Sequence, residues 1–368
     1  IKDSYFSGIV NARTSYVGGL VGIFDGNILW DSYSTGAVNV SFPTPNANIG
    51  GLVGYANSKV SEYKRLKATG SVTVTEGLAD YVGGLIGFFR AGTLEDSSAT
   101  GNVTGVRNSS GGLIGMMRGV MDRCYSTGTV TATGRHNGGL VGYLNLQAII
   151  RDSFTTGNIT SSDESGGLVG HVNTTHGSSA IVNSYAFGQV SKEVSSGALD
   201  TNFGPVYGTL GASAQIDNSS LFYLTSKLNP SHNNFGSAIA DASASEQSSY
   251  PGFDFFSLPG WRIPNPTTNV PGYGTNYPYP ILSWIGEGTS TYSYAIAGNI
   301  VGLQYSSVTL SLNGGQETVT VNSPETNFSF NQKLEPGTSY AVTINTHPSS
   351  PAITCSINNG TGVMGNAD

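Results

Sequence analysis

The sequence predicts an all-β protein. Its larger part reads as a β-solenoid, a parallel β-helix of right-handed type with about three short strands per coil, although the residues do not fix its hand. An aromatic capping region and a C-terminal β-sandwich module follow. Three observations carry this reading: one short stretch recurs six times, a second marker follows every copy, and the 3.6-residue period of an amphipathic helix is absent.

The recurring stretch is first met as VGGLVG at 17–22, where Gly18, Gly19, Leu20 and Gly22 form its core. It returns around Gly50, Gly51 and Leu52, around Gly83, Gly84 and Leu85, and around Gly111, Gly112 and Leu113. Two more copies hold Gly138, Gly139 and Leu140, then Gly166, Gly167 and Leu168. The motif leucines recur with a period of roughly 30 residues, longer in the first two steps than in the last three, as stacked structural units do. After each copy comes a glycine with an aliphatic residue two positions later, closing at Val38, Val72, Val103, Val130, Ile159 and Val190. Val10 ends the same pattern, so the chain is expected to start inside a repeat of a longer protein.

Aligned on the second glycine, the repeats fall into columns. Seven positions earlier stand Ile1, Leu29, Tyr63, Leu94, Met121, Ile150 and Ile181, which read as core. Four positions earlier stand Ser4, Ser32, Leu66, Ser97, Cys124, Ser153 and Ser184, small and expected to point inward, with Cys124 as a filler. Between them, Asp3, Asp31, Arg65, Asp96, Arg123, Asp152 and Asn183 are expected to face water. Short β-prone runs broken by Gly and polar turns fit strands, and stacking coils about 4.8 Å apart turns each column into a ladder. The paired glycines then serve a corner, either by adopting φ > 0 or by letting backbones approach closely. Phosphate binding is disfavoured, because no helix follows the glycines.

The solenoid is assigned to 1–204. Residues 205–285, rich in Pro and aromatics, read as an irregular last coil and a cap over the solenoid's end, where sheet edges would otherwise be open. Residues 286–290 make a linker, and 291–368 alternate polar and apolar residues as a small sandwich does, with LNGGQETVTV as the clearest hairpin.

Composition narrows the function classes. The 368 residues include 51 Gly and only 11% charged residues, with a net charge of -7. No basic cluster offers a footprint for nucleic acid. Cys124 and Cys355 match neither a disulfide framework nor a metal motif, and no apolar run reaches the length of a membrane helix.

The repeated Gly-Gly-Leu core, the DSYSTG-type strand and the Gly-x-Val strand together resemble the GLUG-motif repeats of large bacterial surface proteins. These include filamentous-haemagglutinin-like adhesins and the non-catalytic region of IgA-cleaving metalloproteases. The resemblance spans roughly 1–190 and implies an exported or surface-attached bacterial protein. Protease activity does not carry over, since no HExxH occurs. The C-terminal module resembles Ig-like or carboxypeptidase-regulatory-like modules of such proteins.

No catalytic residue, metal site or cofactor is expected. The charged column could place Asp96, Arg123 and Asp152 together as polysaccharide lyases do, but alternating charges on adjacent rungs are also what a solvated ladder selects. His171 and His176 read as loop residues without a carboxylate partner. The binding candidates are an outward aromatic strip of Tyr5, Tyr33, Tyr125, Phe154 and Tyr185, which either stacks on sugars or partners or only stabilises the solenoid. The expected function is a non-enzymatic extracellular or cell-surface adhesin, or a rigid stalk, meeting a host or environmental glycan or protein surface. A self-associating filament subunit and a carbohydrate-active lyase or hydrolase are the alternatives.

Overall fold

A computed structural model describes residues 1–41, 43–58, 61–77, 79–174, 181–193, 201–212, 214, 216–229, 231–255, 260–264, 278–285, 294–304, 306–334, 339–349 and 351–363. The chain divides into two compact units, Ile1–Ser283 and Trp284–Asp368. The first is a β-solenoid of about six turns. Each coil contributes five short strands rather than about three. In the second coil these are Tyr33–Ser34, Val38–Ser41, Ala47–Gly50, Val53–Ala56 and Glu62–Lys64. Each pairs in parallel with its copy in the neighbouring coils, building five sheets of nine, seven, seven, seven and six strands, named here first to fifth in that order.

The extra strands arise because two expected strands are bent at a corner. The Asp column is one such corner. Asp3, Asp31, Arg65, Asp96, Arg123, Asp152 and Asn183 all have φ between 45° and 53°, the left-handed region, and separate the fifth sheet from the first. Asp and Asn tolerate this conformation because their short polar side chains bond locally, which explains the column's composition better than exposure does.

The serine column closes the same corner from inside. Ser153 Oγ donates to the carbonyl of Arg151 (2.6 Å) and accepts from the Cys124 amide of the previous coil (3.0 Å). Ser32, Ser97 and Ser184 repeat this two-way bond. Backbone groups turned away from the strand ladder are thereby satisfied without water. Cys124 is buried in this column as a small filler, and burial pushes its thiol well up.

The motif glycines make the second corner, between the third and fourth sheets. Of the two reasons open to them, close approach is the one that applies: their φ angles are not left-handed. A Cβ on Gly84 would sit 2.1 Å from the Gly112 carbonyl oxygen, and one on Gly112 would sit 2.0 Å from that of Gly139. The leucine that follows turns inward, and Leu52, Leu85, Leu113, Leu140 and Leu168 are all fully buried. They share one core with Leu29, Tyr63, Leu94, Met121, Ile150 and Ile181. Val38, Val72, Val103, Val130, Ile159 and Val190 form a second with Ile49 and Val82. Burying each such side chain stabilises the fold by about 1.5–3 kcal/mol. Ile1, at the start of its column, is exposed.

Beyond Val190 the coils become irregular. Phe203–Gly204, Tyr207–Leu210 and Leu221–Leu224 extend the third, fourth and first sheets. Short 3₁₀ turns follow, and Trp261–Arg262 pairs with Ile281–Leu282. The second unit is antiparallel: Tyr294–Asn299 pairs with Asn327–Leu334, and Glu317–Asn322, Ser307–Leu312, Ser339–Thr346 and Thr361–Val363 make a four-stranded sheet. Both sheets feed one core through Ile296, Leu310, Leu312, Phe330 and Val342. The expected LNGGQETVTV hairpin is present, with Leu312 opposite Glu317 across a turn whose Asn313, Gly314 and Gly315 have positive φ. The linker at 286–290 lies outside the described residues.

Candidate functional site

The sequence offered the aromatic strip as an exposed surface, and the structure corrects this for most of its length. Tyr5 and Tyr33 are exposed and stacked, with ring centroids 5.2 Å apart. Tyr125, Phe154 and Tyr185 also form a stack, at 5.1 and 4.8 Å, but each is buried. They do point away from the solenoid's core. Trp261 and Tyr250 of the cap cover them: Trp261 lies 6.0 Å from Phe154 and 5.7 Å from Tyr185, and Tyr250 packs 6.3 Å from Tyr185. Polar ends are matched too, Tyr185 Oη donating to the Pro280 carbonyl and Trp261 Nε1 to Asp152. The cap residues thus seal a flank of the solenoid.

A second aromatic ladder, which the sequence reading missed, runs along the glycine corner. It combines the residue two positions before the paired glycines with the residue just after the motif's last glycine. The tight corner brings these two positions side by side. Tyr16 stacks on Tyr55 (5.9 Å), Tyr55 on Phe88 (5.1 Å), and Tyr81 lies 5.4 Å from Phe88. The Arg118 guanidinium sits 5.2 Å from the Phe88 ring. Tyr16 is 43% exposed, Tyr55, Tyr81 and Phe88 are half-buried, and Ile23 beside them is exposed. Alignment on the Gly-Gly-Leu motif would have revealed these columns. Alignment on the later glycine scattered them, because the spacing between the two markers varies.

Farther along the same ladder the rings become imidazoles. His136 stacks on Tyr143 (5.0 Å, 18°) and lies 4.8 Å from the His171 ring. His171 was expected in a loop without a carboxylate. It stands instead in the strand Val169–Thr174, opposite Tyr143 and Thr209, while His176 lies outside the described residues. The missing carboxylate is Glu164, one coil beyond His136 at the same corner position. Its Oε2 is 2.7 Å from His136 Nε2, yet the two are not hydrogen-bonded and Oε2 is buried without a donor. His171 Nδ1 is hydrogen-bonded to Thr209 Oγ1 at 2.5 Å. Burial first, then the Arg135 charge, holds His136 down at about 4. His171 is likewise held at about 4, by burial and then by His136.

The charged column forms ion pairs and is less open to water than expected. Arg65 grips both oxygens of Asp31 at 2.5 and 2.7 Å. Arg123 reaches Asp96 (2.8 Å), Asp122 (2.5 Å) and Glu95 (3.4 Å), and Asp96 is buried. Burial raises the Asp122 carboxyl while Arg123 pulls it back. These pairs offset the cost of placing two arginines in the left-handed region.

No described helix is long and apolar enough to cross a membrane. No family model matches the chain, and no solved structure does. The chain is similar to part of Halomucin from Haloquadratum walsbyi, 42% identical over 95 residues, which amounts to 24% of this chain and 1% of Halomucin.

Proposed function

We propose that this chain is a non-enzymatic segment of an extracellular or cell-surface protein, an adhesin-like arm that uses its open aromatic ladder to bind glycan. The observation that carries this is the run of Tyr16, Tyr55, Phe88 and Tyr81, partly exposed, regularly spaced and mounted on a rigid stack of coils. Flat rings with a polar tip suit the apolar faces of sugars, and a rigid array loses little entropy on binding. Within the charged column Arg65 is engaged with Asp31 and Arg123 with Asp96, while Asp152 accepts from Trp261, as a structural role requires. The match to a segment of Halomucin supports the setting.

A glycan array incubated with the purified chain tests this, with binding and cleavage scored on the same spots. Binding without cleavage, weakened in a Tyr55→Ala/Phe88→Ala variant, is expected. Cleavage lost in Asp152→Ala would overturn the non-enzymatic reading, and silence on every glycan would shift the arm toward a protein partner.

A further inference from the structure

We propose that His136, Glu164 and His171 bind one divalent transition cation of the zinc class and that this cation joins the fifth and sixth coils. One ligand atom from each lies within 4.8 Å of the others, and all three residues are partly buried. His136 and Glu164 occupy the same corner of consecutive coils, both with left-handed φ, 56° and 36°, and His171 stands on the strand Val169–Thr174, across the glycine corner from Glu164. The stacking of coils therefore builds the set, although its first two members belong to different repeats.

Two imidazoles and a carboxylate suit zinc, cobalt, nickel or copper, which accept nitrogen and oxygen together at about 2.0–2.2 Å. Calcium and magnesium favour all-oxygen sets and fit poorly. Three details go beyond proximity. Glu164 Oε2 is buried, accepts no hydrogen bond and sits 2.7 Å from a histidine nitrogen, leaving a lone pair for an electrophile. Thr209 engages Nδ1 of His171, so Nε2 is the nitrogen left to ligate, an outer-shell bond of the kind that orients metal-binding histidines. Tyr143 lies flat against His136 and is itself fixed by a hydrogen bond from Asn173 Nδ2 at 3.0 Å.

The charges nearby also permit a cation. Arg135, the adjacent fixed positive charge, is largely exposed and paired with Asp163 at 3.6 Å. Three protein ligands leave a fourth position open to water or to a group on a bound partner.

The test uses the whole chain, stripped with chelator and titrated with zinc chloride by calorimetry, with cobalt(II) absorption as a second readout. One equivalent of zinc, a rise in thermal midpoint and tetrahedral cobalt bands are expected. His136→Asn, which keeps a residue suited to left-handed φ, and Glu164→Gln should each abolish uptake while circular dichroism stays unchanged. Thr209→Val should weaken zinc roughly 10- to 100-fold. No uptake by the native chain, or native affinity in a folded His136→Asn variant, would overturn the site.

Discussion

Two aromatic ladders run along one solenoid and meet opposite fates. On the first sheet, Tyr125, Phe154 and Tyr185 lie beneath Trp261 and Tyr250. At the glycine corner, Tyr16, Tyr55 and Phe88 stack just as regularly and remain partly open. Both sets point away from the core. In a solenoid the direction of a side chain is fixed by its place in the repeat, whereas exposure is decided by what the non-repeating chain lays over it.

Substitutions can break or sharpen this contrast. Phe154→Ala, which removes a fully buried ring from between Tyr125, Tyr185 and Trp261, is expected to cost about 4 kcal/mol in urea unfolding. Trp261→Ala should cost about 3 kcal/mol and also open the flank, read as faster proteolysis of the cap and greater binding of a hydrophobic dye. If Trp261→Ala left both readouts unchanged, the covered ladder would have to be regarded as open. Tyr55→Ala with Phe88→Ala should shift stability less, about 1–2 kcal/mol, while lowering glycan affinity about tenfold or more. Tyr33→Ala removes one exposed ring at the short uncovered end of the first ladder. It should change stability by under about 1 kcal/mol and leave glycan binding as it was.

Much of the fold was legible because a solenoid writes each contact into the sequence repeatedly. The Leu29 and Leu52 columns could be identified as core from composition alone, and Cys124 as a filler in a column of serines. The number of strands was not legible, because a bend at Asp31 or at Gly19 leaves no gap in a β-prone run. Left-handed φ at the Asp column was written in its preference for Asp and Asn, but Arg65 and Arg123 suggested exposure instead. The site was less legible for two reasons. Glu164 and His136 become neighbours only when coils are aligned on the paired glycines, and the burial of Phe154 depends on Trp261, which stands far downstream and belongs to no repeat.

The way each coil closes on its own corners has a consequence for how such a chain changes over generations. Within the five solenoid sheets each described strand pairs with its copies in the adjoining coils, and coils of unequal length are all accommodated in the same five sheets. The longer coils absorb extra residues as local irregularities, at Val74/Glu76 and Ala79/Tyr81, without disturbing the registers beyond. Tandem duplication of one unit therefore lengthens the solenoid by about 4.8 Å and adds a rung to every ladder, with no new core to invent. The length of the solenoid becomes a heritable quantity that can be copied in whole steps.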